Sequence, residues 1–161
     1  GRFKYEASEG PAQYRRTLYA FWRRSIAPTF LFDSAQRRSC EVRTGRTNTP
    51  LQALTLQNDA TYLESSQAIA AELLREGGDA TRIQSLFRRV LSREANDQEA
   101  ALLGRTLMKA RDHYRAQPAA AAQFLRVGQR THPEGADLPE LAAWTVVASL
   151  TLNLDEAITR E

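Results

Sequence analysis

Between Asp33 and Asp59 this chain of 161 residues gathers the side chains best suited to chemistry: Asp33, Arg37, Cys40, Arg43, Arg46, Asn48 and Asp59. Carboxylates beside an arginine can serve acid–base catalysis, with Arg46 as a contact for an oxyanion or phosphate. Arg37, Arg38, Arg43 and Arg46 also crowd around Cys40 in sequence. Neighbouring guanidinium groups lower a thiol's pKa and make it more reactive. Against this, nothing in the spacing fixes the geometry of a catalytic group, and a lone cysteine in a small domain is more often a buried, inert filler. The arginines are good planar forks for carboxylate, sulfate or phosphate. Arg37, Arg43, Arg46 and Asn48 are therefore the candidate ligand-binding set. Asp33, Cys40, Thr49, Pro50, Gln52, Asn58 and Asp59 read as the architectural part of the same stretch.

Metal chemistry has little to work with. Cys40 is the only cysteine, which excludes an internal disulfide, and His113 and His132 are too few for a His-rich site. No repeated spacing joins them to carboxylates in the way a metal site requires. We therefore expect no metal and no cofactor in this chain. Apolar residues at 42% and charged residues at 25% are ordinary for a globular domain. No apolar run approaches the roughly 18–20 residues needed to span a bilayer. The opening Gly1-Arg2-Phe3 lacks a signal-peptide pattern, and its lack of Met leads us to expect a piece of a longer protein.

Charge divides the chain. Residues 1–50 hold ten Lys or Arg against four Asp or Glu, whereas residues 51–161 hold twelve against fifteen. Tyr14, Tyr19, Phe21 and Trp22 interleave with the basic residues of the first part. That combination can bind an anionic polymer, although Arg-rich composition also follows from GC-rich coding.

The elements that must position these residues are helical throughout. Residues 1–12 read as an extended lead-in and 13–161 as one all-α domain. A helix of about 15 residues carries Tyr14, Leu18, Phe21 and Trp22 at helical spacing and ends at Pro28. Residues 27–48 have no clean period and form a long loop. Thr49-Pro50-Leu51-Gln52 then fits a capping box with proline in the first turn, and Leu51, Leu54 and Thr55 are expected to point inward. Asn58-Asp59 offers a break and a new cap. The next helix runs from about Ala60 to Glu76, on Leu63, Ile69, Ala70, Leu73 and Leu74, with Gly77-Gly78 as its terminator. Asp79 is expected to cap a helix with Ile83, Leu86, Phe87, Val90 and Leu91 inside. Arg82, Arg88, Arg89 and Arg93 should ride its solvated face. Asn96-Asp97-Gln98-Glu99 is a second capping box, opening a helix to about Ala116 on Leu103, Leu107, Ala110 and Tyr114. Pro118 starts an Ala-rich helix ending at Gly128, and residues 129–138 are a polar connection. Asp137-Leu138-Pro139-Glu140 caps a helix with Leu141, Trp144, Val147, Ala148 and Leu152, apolar over so much of its surface that it should run through the centre. Asn153–Glu156 closes the chain as a short turn. The expected architecture is an irregular orthogonal bundle of six or seven helices.

Several of these stretches resemble one family in order and spacing. They are Phe32-Asp33, Arg37, Cys40, Arg43, the run Arg46-Thr47-Asn48-Thr49-Pro50-Leu51-Gln52-Ala53-Leu54, and Asn58-Asp59. The family is domain of unknown function 1553, or PSD domain, of large planctomycete-type proteins. Arg16-Thr17-Leu18-Tyr19 with Trp22-Arg23-Arg24 is similar to its aromatic–basic helix. Arg93 with Asp97-Gln98-Glu99 is similar to a later helix-turn-helix step, and Leu138-Pro139-Glu140-Leu141 and Leu152–Glu156 to its C-terminal end. Ala35 and Arg38 depart from the pattern, where proline and an acidic residue are expected, which makes this loop more basic. The resemblance implies a C-terminal domain of a long, exported (periplasmic or cell-envelope) chain, often with a cytochrome-c-like haem domain upstream. This chain has no Cys-x-x-Cys-His, so any haem belongs elsewhere. No catalytic residues carry over.

The expected function is thus a non-catalytic structural or interaction module, monomeric, with the upstream domains of its own polypeptide as partners. An anion-binding module for an acidic or sulfated glycan, or less readily nucleic acid, is the alternative. Part of an enzyme completed by other domains is the third.

Overall fold

The structure, a computed structural model, describes residues 49–128, 131–132 and 135–158. The helix, loop and lead-in read over residues 1–48 lie outside them. The described residues form seven helices and no strand, which makes the fold all-α: α1 Pro50–Asn58, α2 Ala60–Leu73, α3 Asp79–Leu91, α4 Asp97–Ala116, α5 Pro118–Leu125, α6 Leu138–Leu152 and α7 Asp155–Ile158.

Helix α6 touches every other helix. Leu141, Ala142, Ala143, Trp144, Thr145, Val147, Ala148 and Thr151 are all buried, so burial runs around its whole circumference, as expected of a helix without a polar face. Its alanines let neighbours approach closely, while Trp144 fills the space between them. The two buried threonines cost little, because Thr145 Oγ1 donates to the Leu141 carbonyl at 2.8 Å and Thr151 Oγ1 to that of Val147 at 2.9 Å. Around α6 the core takes Ala70 and Leu73 from α2, Ile83, Leu86 and Phe87 from α3, Leu103 and Leu107 from α4, and Ala121 and Leu125 from α5.

Helix starts follow the caps. Asn96 accepts from Gln98 N and Glu99 N at 3.0 and 2.9 Å, while Glu99 Oε2 accepts from Asn96 N at 2.8 Å, completing the box. Asp137 accepts from Glu140 N at 3.2 Å. Asp59 ends α1 and caps α2 through Thr61 N at 2.9 Å.

Several expectations are corrected. Leu51 and Leu54 do not point inward; they are 54% and 57% exposed, and only Thr55 of the three is half-buried. The inward side of α1 carries Gln52, buried, with Ala53 and Leu56 partly covered. The Ala53 carbonyl accepts from Asn153 Nδ2 at the end of α6 at 3.3 Å, which sets the roll of this short helix. Helix α2 stops at Leu73, ahead of Gly77-Gly78, because Arg75 N and Glu76 N turn back onto the Glu72 and Leu73 carbonyls. The cap of α3 is Gly78, without a side-chain bond. Asp79 instead lies inside the first turn, where an arginine of α4 holds its carboxylate. Helix α5 ends at Leu125 rather than Gly128. Gly128 has φ +95°, and a Cβ there would lie 2.3 Å from Glu64 Cγ of α2, so the position requires glycine on both counts.

Candidate functional site

The signature around Thr49 resolves into architecture. Thr49 Oγ1 accepts from Gln52 N at 3.3 Å, and Gln52 Oε1 accepts from Thr49 N at 2.6 Å. The reciprocal pair satisfies two amides that a helix start would leave open. Pro50 occupies the first turn at no cost in donors. Asn58 Nδ2 donates to the Leu54 carbonyl at 2.8 Å, and Asp59 switches the chain from α1 to α2. Burial, aided by the charge of Asp59, pushes the Tyr62 phenol above its ordinary range. The other members of the candidate set, Asp33, Arg37, Cys40, Arg43, Arg46 and Asn48, lie outside the described residues.

Two arginine-centred joints stand out elsewhere, and neither was singled out from the sequence as a site. The first links α3, α4 and α6. Arg111 Nη1 and Nη2 donate to the two Asp79 oxygens at 2.9 and 3.1 Å, while Nε and Nη2 donate to Glu140 at 2.7 and 2.6 Å. Glu140 Oε1 also accepts from the buried Trp144 indole at 3.1 Å. Arg82, expected on a solvated face, is only 18% exposed in its side chain. Its Nη2 donates to the Leu74 and Glu76 carbonyls at 3.3 and 3.1 Å, and its guanidinium lies 5.8 Å from the Trp144 ring centroid. Arg82 thus satisfies carbonyls left open where α2 stops. The hydrogen bond to Arg111 holds the Asp79 carboxyl below its usual range, and the two carboxylates raise Arg111 in turn.

The second joint links the end of α3, the start of α4 and α7. Arg93 donates from Nη1 and Nη2 to Glu99 at 2.9 and 2.8 Å, and from Nε and Nη2 to Glu156 at 2.8 and 2.7 Å. Its guanidinium lies 5.2 Å from the Phe87 ring centroid. The hydrogen bond from Arg93 pushes Glu99 down to about 2, and Glu156 is lowered by the same guanidinium. Arg88 pairs with Glu94, and Arg89 with Glu72 and Glu76. Each of the four arginines expected on a solvated face has a partner: Arg88 and Arg89 stay exposed beside acids that precede and follow α3, Arg93 reaches Glu99 of α4 and Glu156 of α7, and Arg82 is covered against the Leu74 and Glu76 carbonyls. Glu99–Arg93 and Glu140–Trp144 are six and four residues apart and were open to a sequence reading. Arg111 with Asp79 and Glu140 spans 32 and 29 residues and was not.

Chemically, a carboxylate held as the permanent partner of a guanidinium stays ionised at neutral pH and does not exchange protons there. Among the described residues no three His, Cys, Asp or Glu come together as a metal-binding group, and no helix is long and apolar enough to cross a membrane. What the geometry defines is an all-helical domain whose charged side chains serve as joints between helices.

The comparison with protein families agrees. The family described as Protein of unknown function (DUF1553), PSD1, matches residues 2–107, and the chain belongs to that family. The match takes in the run from Arg46 to Leu54, Asn58-Asp59 and the Arg93–Glu99 step, and ends within α4; the resemblance noted at Leu138–Leu141 and Leu152–Glu156 lies beyond it. No curated protein and no solved structure matches the chain.

Proposed function

We propose that this chain is a non-catalytic structural or interaction module at the C-terminal end of a large, exported multidomain protein, with the upstream domains of that polypeptide as its partners. The observation that carries this reading is the use of the strongest polar groups. Arg93, Arg111 and their carboxylates are spent on holding helices together, and Thr49 and Gln52 on starting one. Export to the periplasm or cell envelope, and a haem carried by an upstream domain, belong to the same proposal and rest on the family resemblance. The chain is expected to be a monomer with no turnover. Sedimentation of the purified chain, and calorimetric titration against the upstream part of its own polypeptide, test it. A defined reaction catalysed by the isolated chain would overturn it.

The second reading is an anion-binding module using Arg37, Arg43, Arg46 and Asn48. It is favoured by the surplus of six basic residues within the first fifty. Retention on heparin at low salt, lost when Arg37, Arg43 and Arg46 are replaced, is the expected result. If duplex DNA is the ligand, each phosphate contact adds about 0.9 to the slope of log affinity against log salt. Passage through both heparin and DNA columns at low salt sinks this reading.

A further inference from the structure

Helix α7 is four residues long and has no buried residue. A single helical turn does not sustain itself in water, since nucleation costs more than one turn of hydrogen bonds returns. Its own backbone bonds are those of Ala157 N and Ile158 N to the Leu154 carbonyl, at 2.9 and 3.3 Å. It lies against α3 and α6 with Ala157 and Ile158 half-buried, and the charged tie that reaches Glu156 from the body of the domain is Arg93, 63 residues earlier in the chain.

The Arg93 site is complete without α7. Glu99 takes one edge of the guanidinium, the Glu94 carbonyl accepts from Nη1 at 3.0 Å, and Phe87 lies beneath. Glu99 is itself locked into the α4 capping box through Asn96 N. All of these contacts are local in sequence, spanning six residues or fewer. The remaining edge, Nε with Nη2, presents a preformed fork for one more carboxylate, which Glu156 fills in a two-pronged contact.

We propose that α7 is a releasable clip. The Arg93 fork, held in place by Glu99, Glu94 and Phe87, captures Glu156, and α7 docks and undocks as a unit while the helices around α6 stay folded. Half of the Glu156 side chain is exposed, so this capture is open to screening by salt. The clip ties α7 to the α3–α4 corner, and it makes the docking of that turn depend on ionic conditions.

NMR of the full chain tests this through the amide and Cα shifts of Ala157 and Ile158, with Leu103, Leu107 and the Trp144 indole as reporters of the core. Glu156→Gln keeps the shape but removes the charge. It should move the Ala157 and Ile158 shifts to coil values and leave the three core reporters in place. Raising salt from about 0.01 M to about 1 M shrinks the Debye length from about 30 Å to about 3 Å. In the wild-type chain that should move the same two signals in the same direction, and in E156Q it should move them no further. Arg93→Lys, a point charge unable to clamp two carboxylates as a fork, should also release α7. The proposal fails if Ala157 and Ile158 keep wild-type shifts in E156Q, or if α7 is lost only together with the core reporters.

Discussion

Helices α1 and α6 begin alike and end up in opposite environments. Each opens with an oxygen-bearing cap and a proline in the first turn, Thr49-Pro50 and Asp137-Leu138-Pro139. Each is rich in apolar residues and lacks a clear polar face. Yet α1 leaves Leu51 and Leu54 in solvent, whereas α6 is buried all round over Leu141 to Thr145 and exposes only Leu150 near its end. The difference shows that a cap decides where a helix starts and nothing about what it is worth. Helix α1 is nine residues long and anchors through its caps and the Asn153–Ala53 bond. Helix α6 contributes through packing, and its first turn is tied to α3 and α4 through Glu140 and Arg111.

That contrast can be broken in order of size. Trp144→Ala should cost about 3–5 kcal/mol of unfolding free energy, read by urea denaturation, because the side chain is fully buried among helices that all meet at α6. Arg111→Ala should cost about 2 kcal/mol. It leaves Glu140, 13% exposed, and Asp79 without the guanidinium that holds both of their oxygens. Thr49→Ala and Asp137→Ala should each cost about 1 kcal/mol, equal at the two helices, since a cap acts locally. If Asp137→Ala proves several times worse than Thr49→Ala, capping and packing are not separable here. Leu51→Ser with Leu54→Ser should stay within about 0.5 kcal/mol of wild type; a large loss would mean that α1 buries them in solution.

Acid offers a further way to sharpen the comparison. Asp79 and Glu99 titrate below their ordinary ranges in the folded chain, Glu99 at about 2. A depressed acid is more readily protonated when unfolded, so its stabilisation is complete above the unfolded pKa of roughly 4 and fades as pH falls through the folded value. The melting temperature should hold from neutral pH to about pH 5 and fall from about pH 4.5 downward. The gap between wild type and Arg111→Ala should narrow over the same interval as Asp79 takes up its proton. The α1 start, with no acidic residue in its first turn, should contribute nothing to that slope; the gap between wild type and Thr49→Ala should be flat across it.

Local chemistry was legible where it depends on residues three or four apart. The boxes at Thr49–Gln52 and Asn96–Glu99, the break at Asp59 and the inward row Ile83, Leu86, Phe87 all follow from such spacings. The central place of α6 followed from an apolar surface too wide for one neighbour. Arg88 and Arg89 lie exposed, as an Arg-rich helix face suggests; Arg82 does not, because such a face looks the same in sequence whether water or backbone carbonyls receive it. Arg82 depends on where α2 stops, and Arg111 on which helix ends come together.

For this chain, then, residue types and short spacings were enough to state an all-α fold, most of the described helix starts, its central helix and its family, since those properties are set by periodicity, capping and side chains close in sequence. The roll of α1, the cover over Arg82 and the capture of Asp79, Glu140 and Glu156 by distant guanidinium groups were decided by packing. Each depends on groups separated by tens of residues, whose meeting no local pattern encodes.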